Sequence, residues 1–126
     1  MDFDLSPEQK AAQAKARRLA DESIRPFAAD VDLKERYPEE GLCALADSGF
    51  AGLTVPREFG GMDADATTSC LVAEEISRGC ASTGALILTF SGTVKSLAAF
   101  GTQAQKDKYL PGMDTRYHGA DQPTLL

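Results

Sequence analysis

The chain has 126 residues, 43% hydrophobic and 25% charged, which fits one globular domain. Nineteen acidic against thirteen basic residues give a formal charge of −6, which argues against any general electrostatic grip on nucleic acid. One histidine, His118, rules out a two-histidine catalytic scheme or a histidine metal cage within one chain, and Cys43, Cys70 and Cys80 form no C-x-x-C pair.

Ser6-Pro7-Glu8-Gln9 reads as a helix start. Ser6 can cap, Pro7 suits the first helical position, and Gln9 completes a capping box. Ala12, Ala16, Leu19, Ile24 and Phe27 follow at mostly helical steps, and Pro26 is expected to kink or end this helix. Pro38 opens a second helix carrying Leu42, Leu45 and Ala46, and Gly49 stops it. Phe50 to Pro56 is short and apolar, and Gly60-Gly61 reads as a turn, since its flanks lack a phosphate-loop pattern.

A third helix is expected over 65–78. Its Glu74-Glu75 pair points two ways around the helix and reads as a solvated face, with Glu75 and Arg78 in pairing range. A fourth helix is expected over 83–100. One stripe is large, with Leu86, Phe90, Val94 and Leu97; another is small, with Ala85, Thr89, Gly92, Thr93, Ser96 and Ala99. The small stripe lets either another backbone or a slender ligand approach. This stretch carries Lys95 and several hydroxyls, so no unbroken membrane span is expected. Thr102-Gln103-Ala104-Gln105 is a second capping box, opening a short helix to Leu110. No segment alternates with period two, so the expected class is all-α.

An odd number of cysteines with no C-x-x-C motif and an acidic N-terminus without a signal pattern point to a cytoplasmic protein. No catalytic constellation and no metal set stands in these residues. His118 has no partner placed by any motif.

The order of the pieces resembles the N-terminal domain of acyl-CoA dehydrogenases. The resemblance rests on Ser6-Pro7-Glu8-Gln9, Ile24-Arg25-Pro26, Tyr37-Pro38-Glu39-Glu40 and, most specifically, the run from Gly49 to Gly61. Ala73-Glu74-Glu75-Ile76-Ser77-Arg78, Cys80-Ala81-Ser82-Thr83, Phe100-Gly101-Thr102 and Lys108-Tyr109-Leu110-Pro111 continue it in the same order. It implies a five- to six-helix orthogonal bundle over residues 1–113. It also implies, for a full-length relative, α,β-dehydrogenation of an acyl-CoA thioester, with FAD as hydride acceptor and an electron-transfer flavoprotein as redox partner.

In that family the fourth helix lines the acyl-chain cavity. The resemblance therefore assigns Ala85, Leu88, Thr89 and Gly92 to the acyl-chain wall. The catalytic glutamate and most flavin contacts lie in later domains, so neither catalytic nor cofactor-binding residues are carried over. From Asp114 the sequence leaves the family pattern, and residues 114–126 read as a loose tail from a truncated or frameshifted reading frame. Two other readings stand beside the enzyme fragment: a helical interaction module that self-associates through exposed apolar surface, and a truncated product without function.

Overall fold

The computed structural model describes residues 3–113, which are helical with no strand among them. The expected tail over 114–126, including His118, lies outside the described residues. Six α-helices follow in order: α1 (Pro7–Leu19), α2 (Arg25–Leu33), α3 (Glu39–Ser48), α4 (Ala66–Gly79), α5 (Ala81–Phe100) and α6 (Gln103–Tyr109). Single π and 3-10 turns link some of them.

Both capping boxes form. Ser6 accepts from the Gln9 N–H, and Thr102 from the Gln105 N–H, while each glutamine side chain accepts from its cap's own N–H. Such a cap contributes ~1 kcal/mol. Asp65 caps α4 by accepting from the Thr68 N–H at 2.6 Å. Gly49 ends α3 at φ +83°, in the left-handed region that favours glycine.

Pro26 does not end the first helical rod. A π turn over Ala20–Ile24 comes just before it, and α2 then continues to Leu33. The Arg25 N–H reaches back five residues to the Ala20 carbonyl, so the wider turn absorbs the proline that a regular α-turn would reject.

The main core is built where α1, the π turn, α3, α4 and the first half of α5 meet. Ile24, Leu45, Phe50, Leu53 and Ile76 are essentially fully buried there. Close backbone approach is set by glycines. A Cβ on Gly84 would run into Ser77 of α4, and one on Gly79 would stand 3.0 Å from the Ala20 Cβ. A smaller cluster joins Val55, Val94 and Leu110 and holds α6 to the far half of α5.

The expectation of a solvated Glu74-Glu75 face fails at its second member. Glu75 is 2% exposed. The Arg17 guanidinium donates to Oε1 at 2.6 Å, and the Arg78 Nε donates to Oε2 at 2.9 Å. Arg78 also pairs with Asp21 at 3.1 Å. The Arg17 hydrogen bond holds the Glu75 carboxyl below its ordinary range against the upward push of burial, and Arg78 adds to it. Glu75 thus ties α4 to α1 and the π turn. The α1–α4 contact that buries it was not visible in the spacing within α4.

Candidate functional site

Helix α5 divides differently from the two stripes read in the sequence. Thr83, Gly84, Ile87 and Val94 are its buried residues, whereas Leu86, Phe90 and Leu97 are only partly covered. The whole small stripe is exposed: Ala85, Thr89, Gly92, Thr93, Ser96 and Ala99. No helix of the described residues packs on it. By length and composition alone α5 could cross a membrane, but it also supplies Ile87 and Val94 to the two cores.

The exposed hydroxyls are already satisfied. Thr89 donates to the Ala85 carbonyl at 2.9 Å, Thr93 to the Thr89 carbonyl at 3.0 Å, and Ser96 to the Gly92 carbonyl at 2.9 Å. An apolar group could cover this face without orphaning a donor. At Gly92 an added Cβ would meet nothing within 4 Å. Glycine inside a helix costs ~1 kcal/mol relative to alanine. Nothing in the described packing recovers that cost.

A groove of about 260 Å³ runs beside this face, between α4, α5 and the turn at Leu53-Thr54. Leu53, Ala73, Ile87 and Leu88 make it apolar, and Gly92 and Lys95 lie farther along α5. Of the four residues assigned to an acyl-chain wall, the structure brings Leu88 and Gly92 into the groove. Ala85 and Thr89 lie on the exposed surface of α5 outside its lining. Leu88 is 55% exposed, a large apolar side chain without a full complement of neighbours.

Sequence reasoning missed Cys70 and Ala73 of α4, the Leu53-Thr54 turn, and Lys95. Lys95 was readable, because it stands seven residues after Leu88 and three after Gly92 on the same face of the helix. The α4 and turn residues come from contacts distant in sequence.

Among the described residues the groove lining holds no carboxylate, and two of its hydroxyls are spent on backbone. Thr54 donates to the Ser91 carbonyl at 3.3 Å, and Ser69 to the Asp65 carbonyl at 2.8 Å. This is a surface that offers shape rather than acid–base chemistry. A second, more open depression of about 640 Å³ lies between the π turn and α3, with Leu19 and Phe27 beside Glu22 and Asp47. None of the four assigned residues reaches it. Among the described residues no cluster of His, Cys, Asp and Glu is placed to hold a metal ion.

Comparison with known proteins matches the acyl-CoA dehydrogenase N-terminal domain model over residues 6–116. The "Probable acyl-CoA dehydrogenase fadE25" of Mycobacterium leprae is 39% identical over 111 residues, covering 88% of this chain and 28% of that protein. The short-chain-specific acyl-CoA dehydrogenase of Clostridium acetobutylicum is 33% identical over 111 residues, with 87% of this chain and 29% of that protein covered. A 3-sulfinopropanoyl-CoA desulfinase of Paraburkholderia xenovorans is 38% identical over 105 residues, covering 82% of this chain and 27% of that protein. A solved chain described under an electron transferring flavoprotein of Acidaminococcus fermentans superposes with a TM-score of 0.77 at 29% identity, over 90% of this chain and 30% of that one. The chain therefore spans between a quarter and a third of the length of these proteins. With the helical order, the two capping boxes and the Gly49 to Gly61 turn, these matches place it: the chain belongs to the acyl-CoA dehydrogenase family and corresponds to its N-terminal domain.

Proposed function

We propose that this domain supplies one wall of an acyl-chain cavity in an FAD-dependent acyl-CoA dehydrogenase. The carrying observation is the exposed face of α5. Apart from Lys95 it is apolar or internally satisfied, it holds a glycine with no packing reason inside the described residues, and it borders an apolar groove. A methylene chain fits such a surface by shape and by loss of apolar area to water. Ala85, Leu88, Thr89 and Gly92 are the wall residues, with Leu88 the large side chain between small neighbours.

The described residues do not fit FAD. The groove is small, its Thr54 and Ser69 hydroxyls are committed, and one lysine is its sole charged lining group, whereas a dinucleotide pyrophosphate needs converging donors. We assign flavin contacts, the proton-abstracting glutamate and the surface for an electron-transfer flavoprotein to the part of the relatives beyond the matched segment. On that assignment the 126-residue chain alone does not turn over. No disulfide joins Cys43, Cys70 and Cys80 among the described residues, which favours a reducing, cytoplasmic setting. A desulfinase among the relatives leaves the fate of the acyl group to those other regions, while the thioester substrate class is shared.

The test is a transplant. Residues 6–116 replace the matching stretch of the Mycobacterium leprae relative, and the purified hybrid is titrated with acyl-CoA thioesters of several lengths. Bleaching of its bound flavin is expected. A hybrid that folds and holds flavin, yet is bleached by no thioester, would overturn the proposal.

A further inference from the structure

Among the described residues Lys95 is the one charged group lining the α4–α5 groove. It makes no ion pair among the described residues. Asp65 is close enough for the ammonium to help lower its carboxyl, yet the two form no ion pair, and Asp65 accepts instead from the Thr68 N–H at 2.6 Å and from Gln9 Nε2 at 3.4 Å. The ammonium is therefore an uncommitted donor beside an otherwise apolar surface. Between Leu88 and Lys95 the α5 lining is Ser91 and Gly92, a small side chain and none at all. Seven residues of helix separate Leu88 from Lys95, a rise of about 10 Å. A chain lying along α5 would pass over Leu88 and Gly92 and bring its far end to the ammonium.

We propose that Lys95 reads the far end of the acyl tail and selects thioesters whose tail ends in an anion, such as a terminal carboxylate. This rests on the acyl-wall reading above. Once a tail and the remainder of an enzyme cover this face, an unpaired ammonium is costly unless an anion meets it, so a neutral tail end is disfavoured there and an anionic one favoured. Arginine at this position keeps the charge, and methionine keeps the length without it.

Amide chemical shifts of the full 126-residue chain report both parts of the claim. Decanedioyl-CoA and decanoyl-CoA are titrated separately into the wild type, Lys95→Met and Lys95→Arg. Both thioesters are expected to shift Leu88 and Gly92. Decanedioyl-CoA weakens about five-fold in Lys95→Met and holds in Lys95→Arg, while decanoyl-CoA changes less than two-fold in either. If both thioesters shift the groove and Lys95→Met alters them equally, or not at all, Lys95 does not read the tail end and the acyl wall stands. If neither thioester shifts Leu88 or Gly92, the tail-end inference falls, while the wall reading still stands or falls with flavin bleaching in the transplanted enzyme.

Discussion

Replacing Gly92 by alanine should stabilise the isolated chain. The residue lies inside α5, an added Cβ meets nothing within 4 Å, and no strained backbone angle requires glycine. Alanine gains helix propensity and narrows the unfolded ensemble, together worth about 0.5–1 kcal/mol. For a domain of this size that raises Tm by roughly 2–5 °C. Gly84, on the same helix, provides the control. Its added Cβ would stand 2.7 Å from the Ser77 Cα, a backbone atom that cannot swing away, so Gly84→Ala should cost about 1–3 kcal/mol. Thermal and urea unfolding followed by far-UV circular dichroism measures both. A Gly92→Ala variant less stable than wild type would refute the reasoning, because the fold itself would then require the glycine.

Three further outcomes follow from the same geometry. Glu75→Gln should cost about 1–2 kcal/mol at neutral pH, below the value for a fully buried pair because Arg17 and Arg78 are 60% and 37% exposed. Since the folded carboxyl is held below its ordinary 4.5, that difference is complete above this value and closes as pH falls through the lowered one, which urea titrations across the acid range would show. In native protein a maleimide should modify exposed Cys70 first and leave Cys80, 6% exposed, protected until denaturant is added; mass mapping of early adducts on Cys80 would contradict the packing. Ser6→Ala and Thr102→Ala should each lose about 1 kcal/mol with the capping boxes, measured by the same unfolding curves.

Local signals carried most of the fold. Ser6 with Gln9, Thr102 with Gln105, Pro38 and Gly49 each act through neighbours a few residues away, so the helix starts and stops were readable. Pro26 was expected to kink or end the helix; it does not end the rod, because the π turn just ahead of it lets α2 continue, and no local spacing signals such a turn. Glu75 was misread because its partner Arg17 comes from another helix. The site was half legible. Helical spacing picked out the small stripe, but periodicity alone cannot say which face of α5 the rest of the domain covers. Of the large stripe only Val94 is buried, whereas Thr83, Gly84 and Ile87, which belong to neither stripe, are the other buried residues of α5. Cys70 and the Leu53-Thr54 turn join the groove through packing, which no local pattern encodes.

The central claim is that the open face of α5 walls an acyl tail, and Gly92 tests it most directly. In the transplanted enzyme, Gly92→Leu places a branched side chain where the tail would lie, on a Cβ that meets no described neighbour within 4 Å. Flavin bleaching is then measured with butanoyl-CoA and with hexadecanoyl-CoA. The account predicts that the long thioester loses at least ten-fold in rate while the short one stays within about two-fold. An unchanged ratio between the two thioesters, in a hybrid that still folds and holds flavin, would contradict it.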